Sequence, residues 1–116
     1  MREQLNWRVN FDEVQTGIGR AGKLFAYEHY NIEPDIMTLA KGIGGGFPLS
    51  AMLTKEKYNI FDPGDQGGTY SGQPLAMSVG IAVVNEVIDK GLVKNAEVQG
   101  NYLIEKLESI KSKYDL

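Results

Sequence analysis

The stretch DIMTLAKGIGGGFPLSAML, residues 35–53, places two short apolar runs on either side of a lysine and four glycines. Ile36, Met37 and Leu39 lead into Lys41, and Leu49, Ala51, Met52 and Leu53 follow Pro48. Apolar runs of this length, bounded by Gly and Pro, predict strands. They fall here at 35–40 and 48–54, with the glycine run as the turn between them. Lys41 is poorly placed for a merely solubilising charge. At the end of an apolar strand it is expected to lose water, which favours the neutral amine and makes it available as a nucleophile or base. The glycines beside it let another molecule approach the backbone closely. The same residues also suit an ordinary structural turn.

Upstream, Trp7, Val9 and Phe11 alternate with Arg8 and Asn10, the period of a short strand arriving at Asp12. TGIGRAG, residues 16–22, is a glycine-punctuated loop, and KLFAYEHY after it reads as a short helix that turns Leu24 and Phe25 inward before Pro34 breaks it. Downstream, residues 55–72 have the Pro, Gly and Asp content of a long loop, a length that usually carries function or disorder. Residues 74–90 form a helical pattern with proline at an early position and Gly91 at the stop. This helix is apolar almost all round, which predicts burial on several sides. Residues 92–113 carry a narrower stripe and predict a half-buried surface helix. Short strands followed by two long helices define an α/β segment. The first helix demands more cover than the remaining residues supply, so the chain is expected to be an internal part of a larger fold.

Composition narrows the function classes. The 116 residues are 42% hydrophobic and 23% charged, ordinary for a soluble domain, and no apolar run nears the length of a membrane span. A net charge of -3, with twelve dispersed Lys and Arg, offers no basic field for nucleic acid. Absence of cysteine removes disulfides and thiolate sites and fits a cytoplasmic location. The first ten residues lack the apolar core of a signal peptide.

Gly17, Gly19 and Gly22 match the spacing of a dinucleotide fingerprint, but the first glycine comes five residues after Asp12 rather than at the strand tip. Asp12 and Glu13 would also set carboxylates near an anionic pyrophosphate. His29 is the single histidine and sits in an aromatic-rich segment, which favours a partly buried structural role over catalysis or zinc. Glu105, Lys106, Glu108, Lys111 and Lys113 read as a solvated helix face.

Taken together, DEVQTGIGRAGKLFAYEHYNIEPDIMTLAKGIGGGFPLSAML and the later GGTYSGQPLA resemble the class III, ornithine-type aminotransferases that use pyridoxal 5'-phosphate. The resemblance covers about residues 11–116. It implies the fold type I architecture of these transferases. Residues 1–72 would belong to the cofactor-binding large domain, and 73–116 would be helices leading to the C-terminal small domain. It implies that Lys41 is the covalent anchor of the cofactor and the proton shuttle. Asp12 would pair with the pyridinium nitrogen, Gln15 would lie near the 3-hydroxyl, and Thr69 would reach the phosphate across a homodimer interface. The reaction implied is transfer of an amino group from an amino acid such as N-acetylornithine to 2-oxoglutarate, of the arginine-biosynthesis type. A mutase or decarboxylase relative, or a catalytically silent remnant acting as an interaction piece, are the alternatives. The sequence departs from the family pattern at Arg8 and Asn10 in the first strand, at Gln66 in place of a frequent histidine, and at Ser71-Gly72-Gln73-Pro74.

Overall fold

The computed structural model describes residues 7–114. Three short strands come first, β1 (Asn10–Asp12), β2 (Ile36–Leu39) and β3 (Ala51–Thr54). Two long helices follow, α1 (Pro74–Asp89) and α2 (Leu92–Tyr114). Single 3₁₀ turns occupy Ala26–His29, Lys41–Gly44 and Glu56–Tyr58. The strands form one sheet in the order β1-β2-β3, with β1 and β2 parallel and β2 and β3 antiparallel. Phe11 lies opposite Met37 and Asp12 opposite Thr38. The first strand is therefore displaced from the expected 7–11 toward Asp12, because its ladder is set by its partner rather than by its own alternation. The expected strands at 35–40 and 48–54 are trimmed to their pairing residues.

Met37 and Leu39, two residues apart, point to the same face of β2 and are the buried side chains of the sheet. Burying each stabilises by roughly 1.5–3 kcal/mol. The segment after the glycine loop is a 3₁₀ turn rather than an α-helix. Its Tyr27 ring stacks on Phe25 at 5.9 Å and meets Phe11 edge-on at 6.2 Å, which fastens the turn over β1. His29 is exposed, and its Nε2 lies 2.8 Å from the Ala21 carbonyl oxygen, a local structural contact.

Pro74 occupies the first turn of α1, and Gly91, at φ 62°, ends it with its N–H on the Ile88 carbonyl. The helix was expected to be buried on several sides. Only one stripe is covered: Ala76 and Gly80 are buried, Val83 meets Gly45, and Val87 meets Gly19. Leu75, Met77, Ile81 and Ile88 face outward. α2 is likewise more exposed than expected. Its first turns pack through Val93 and Glu97 against Gly19 and Gly22, but from residue 101 onward every described side chain is exposed. The radius of gyration is 18.0 Å, against about 13 Å for a compact domain near this size. No helix among the described residues is long and apolar enough to cross a membrane.

The contact between α1 and the glycine run fixes the position of the Lys41 turn. Gly45 has φ 55°, and a Cβ there would stand 2.8 Å from Val83 Cγ2. Gly45→Ala is expected to cost about 2–4 kcal/mol, the sum of a left-handed backbone penalty and overpacking against a stiff side chain. Denaturant unfolding measures this, with Gly67→Ala, where nothing lies within 4 Å, as the small-effect control. Adding Val83→Ala should recover the steric part and leave the backbone part.

Candidate active site

β1 and β2 run parallel, so their carboxyl ends open on the same edge of the sheet, where ligands bind in open α/β sheets. Asp12 is the last residue of β1, and Lys41 follows β2 by one intervening residue, Ala40. Asp12 is exposed, and its Oδ1 accepts the Val14 N–H at 3.0 Å. Glu13 N–H donates to the Thr38 carbonyl at 3.0 Å, extending the ladder one step past the strand. The chain then turns, with Gly17 N–H on the Glu13 carbonyl at 3.0 Å, and this turn presents Gln15. Lys41 Nζ donates to Gln15 Oε1 at 2.5 Å, across 26 residues of sequence.

The amine was expected to be desolvated at the strand end. Instead Lys41 is exposed and opens its own 3₁₀ turn. Its distinguishing feature is backbone strain: φ is 45°, a left-handed conformation that a lysine adopts rarely. Ile18, at φ 56°, is a second outlier, and it stands next to the Lys41 turn, its Cβ 3.4 Å from where a Cβ on Gly42 would lie. For a β-branched residue such a φ is a true outlier, and strain of this kind clusters at functional sites. The Gly45 turn that follows is held by α1 through Val83.

Thr69 does not share the Lys41–Gln15 contact. It lies in the exposed 59–72 segment and lines a hollow of about 410 Å³ with Pro48, Leu49, Ser50 and Gln73. Among the described residues no hydrogen bond joins it to Asp12, Gln15 or Lys41. The structure thus gathers Lys41 and Gln15 into one contact with Asp12 on the neighbouring strand end, and Thr69 is not part of that contact.

Glu13 is the residue that the sequence pattern did not single out for a role. It is 1% exposed, and both carboxylate oxygens are engaged: Oε2 accepts from the Thr16 hydroxyl and Oε1 from the Tyr27 N–H at 2.9 Å. Its one sequence signal is a hydroxyl three residues on, the spacing of a local side-chain clasp.

An exposed amine, an amide and a carboxylate at one sheet edge are chemically matched to pyridoxal phosphate. The aldehyde takes an amine, the phenolic oxygen an amide N–H, and the pyridine nitrogen a carboxylate. The donor set fits the cofactor.

The aminotransferase class-III family model matches residues 4–116, and the chain belongs to that family. It is 55% identical over 103 residues to acetylornithine aminotransferase of Caldanaerobacter subterraneus subsp. tengcongensis, covering 89% of this chain and 26% of that protein. The acetylornithine aminotransferase of Clostridium acetobutylicum is 52% identical over 114 residues, 97% of this chain and 30% of that protein. Among solved structures, acetylornithine aminotransferase of Elizabethkingia anophelis superposes with a TM-score of 0.90 at 38% identity, over 97% of this chain and 28% of that one. Ornithine aminotransferase of Plasmodium yoelii gives 0.89 at 39% identity, over 96% and 30%. The chain therefore spans between about a quarter and a third of the length of these relatives.

Proposed function

We propose that the chain supplies the cofactor-anchoring face of a pyridoxal-phosphate-dependent aminotransferase acting on N-acetylornithine and 2-oxoglutarate. The single observation that carries this is the Lys41–Gln15 contact at the carboxyl end of parallel strands, beside Asp12. The amino donor rests on the two acetylornithine aminotransferases at 52–55% identity, and 2-oxoglutarate on the family resemblance alone.

Lys41 Nζ would hold the cofactor through its aldehyde carbon, Asp12 would keep the proton on the ring nitrogen, and Gln15 would engage the phenolic oxygen. When bound, pyridoxal phosphate supplies an electrophilic carbon and an electron sink. The protein's part is placement and proton management. The strained Lys41 turn aims the amine out of the sheet edge, and Gln15 restricts its rotamers. With its bond to the aldehyde carbon released, the same amine would be the base that removes the proton from the amine-bearing carbon of the substrate. Asp12 would set its carboxylate at the strand end against the positive ring nitrogen.

Thr69, which lines a hollow with Ser50 and Gln73, would serve the phosphate of a neighbouring subunit in a homodimer. Residues 1–72 would then belong to the large domain and 73–116 would lead to the small one. Uncovered apolar positions on α1 and α2, such as Ile81 and Leu107, support burial against further structure.

Titration of the whole protein with pyridoxal phosphate tests the proposal. The expected result is a new absorbance band, abolished by borohydride with retention of a pyridoxyl mass on the Lys41 peptide, and amino transfer from N-acetylornithine. A protein that folds but gains neither the band nor the mass overturns it, and leaves the silent-remnant alternative in place.

A further inference from the structure

We infer that Glu13 is a positioning residue, its buried carboxylate fixing the turn that holds the Gln15 amide against the Lys41 amine. The inference deepens the site proposed above and rests on it for the importance of Lys41, though its geometry is independent of any cofactor. A carboxylate with 1% exposure is costly to bury unless hydrogen bonds replace its water. Here they come from two directions. The Thr16 hydroxyl clasps one oxygen from within the turn, and Tyr27 N–H binds the other from the 3₁₀ segment fastened over β1. The backbone of the same residue reaches β2 through Thr38 and closes the turn through Gly17. Glu13 is thus the point where sheet, turn and overlying segment meet, and Gln15 is carried between its ends.

Gln15 needs that support. It is exposed, and among the described residues its side chain makes one hydrogen bond, to Lys41. The turn leaves no slack, since a Cβ on Gly17 would stand 2.8 Å from the Glu13 carbonyl oxygen and 3.2 Å from Leu39 Cδ2. Loss of the carboxylate would release the turn from Tyr27 and Thr16 together, and the amide that Lys41 engages would lose its fixed place. Glu13 itself touches neither the amine nor the reacting atoms in the proposed chemistry.

The test is the rate at which trinitrobenzenesulfonate modifies Lys41 in the whole protein without cofactor, read on the Lys41 peptide by mass spectrometry. Gln15→Ala frees the amine of its hydrogen bond and is expected to change that rate roughly three- to tenfold, the size of an ordinary net hydrogen bond between exposed groups. Glu13→Ala should reproduce most of the change, and the double variant should add little beyond either single one, because both remove the same contact. Glu13→Gln should stay near the parent rate, since its carbonyl still accepts from Tyr27 and its amide can donate to the Thr16 hydroxyl. A purely structural Glu13 would lower the melting temperature yet leave the Lys41 rate unchanged, or give effects additive with Gln15→Ala; either result overturns the inference. Should Glu13→Ala not fold, Thr16→Val removes one arm of the clasp and is held to the same non-additivity. Failure of the parent protein to take up pyridoxal phosphate would sink the cofactor proposal without touching this one, because the reagent reports on the bare amine.

Discussion

Replacing Lys41 by alanine is expected to lower amino transfer by at least about a thousandfold, because on the proposed chemistry it removes both the covalent anchor and the proton-transferring base. The fold should survive. Alanine at φ 45° meets the same left-handed penalty that lysine does, so the substitution leaves backbone strain as it was and deletes the amine. The hydrogen bond that goes with it, to Gln15, joins two exposed side chains and holds no part of the core. Single-turnover measurement of each half-reaction, with circular dichroism as the folding control, gives the result. Loose uptake of pyridoxal phosphate should remain, without a borohydride-fixed mass. A pyridoxyl group found on the peptides of Lys23 or Lys55 in the parent protein would reassign the anchor.

Asp12→Asn is expected to cost about a hundred- to ten-thousandfold in the proton-transfer step, or roughly 3–5 kcal/mol at 1.4 kcal/mol per tenfold. The two side chains share a shape, and asparagine keeps an oxygen for the Val14 N–H that Asp12 Oδ1 accepts at 3.0 Å. Position at the end of β1 is thereby preserved while the charge is lost. In the proposed chemistry that charge is what holds the ring proton, so the loss should fall on kcat far more than on KM. Substrate deuterated at the amine-bearing carbon should show a larger isotope effect in the variant. Near-parental half-reaction rates in Asp12→Asn would remove Asp12 from the site.

Local signals carried a good part of this architecture. Pro74 and Gly91 bracket α1 closely, because a missing N–H and a left-handed stop are properties of single residues. The strands were visible as apolar runs, and their carboxyl-end residues, Asp12 and Lys41, were legible as candidates from position alone. What local pattern did not contain was the identity of partners. Gly19 faces Val93, Gly22 faces Glu97, Gly45 faces Val83 and Gly80 faces Leu49, each across a long stretch of chain. A glycine in a sequence announces permissiveness and says nothing of which side chain fills the space it leaves. The burial of Glu13 was illegible for a related reason: nothing local to its carboxylate announces that Tyr27, fourteen residues away, binds it. The expected burial of α1 and α2 failed in the other direction, since an apolar face states a need for cover and not its source.

The left-handed backbone at Lys41 sets thermodynamics and chemistry against each other at one residue. Glycine would occupy φ 45° at little steric cost, so the conformation that presents the amine is one the backbone would hold more comfortably without it. A search for stabilising substitutions guided by folding free energy alone would select glycine there, and would discard the functional group for which the proposed chemistry needs the turn. Engineering this segment for heat resistance therefore has to begin elsewhere, at positions such as Gly100, which sits inside α2 with open space around its Cβ direction and where alanine gains helix propensity without touching the amine.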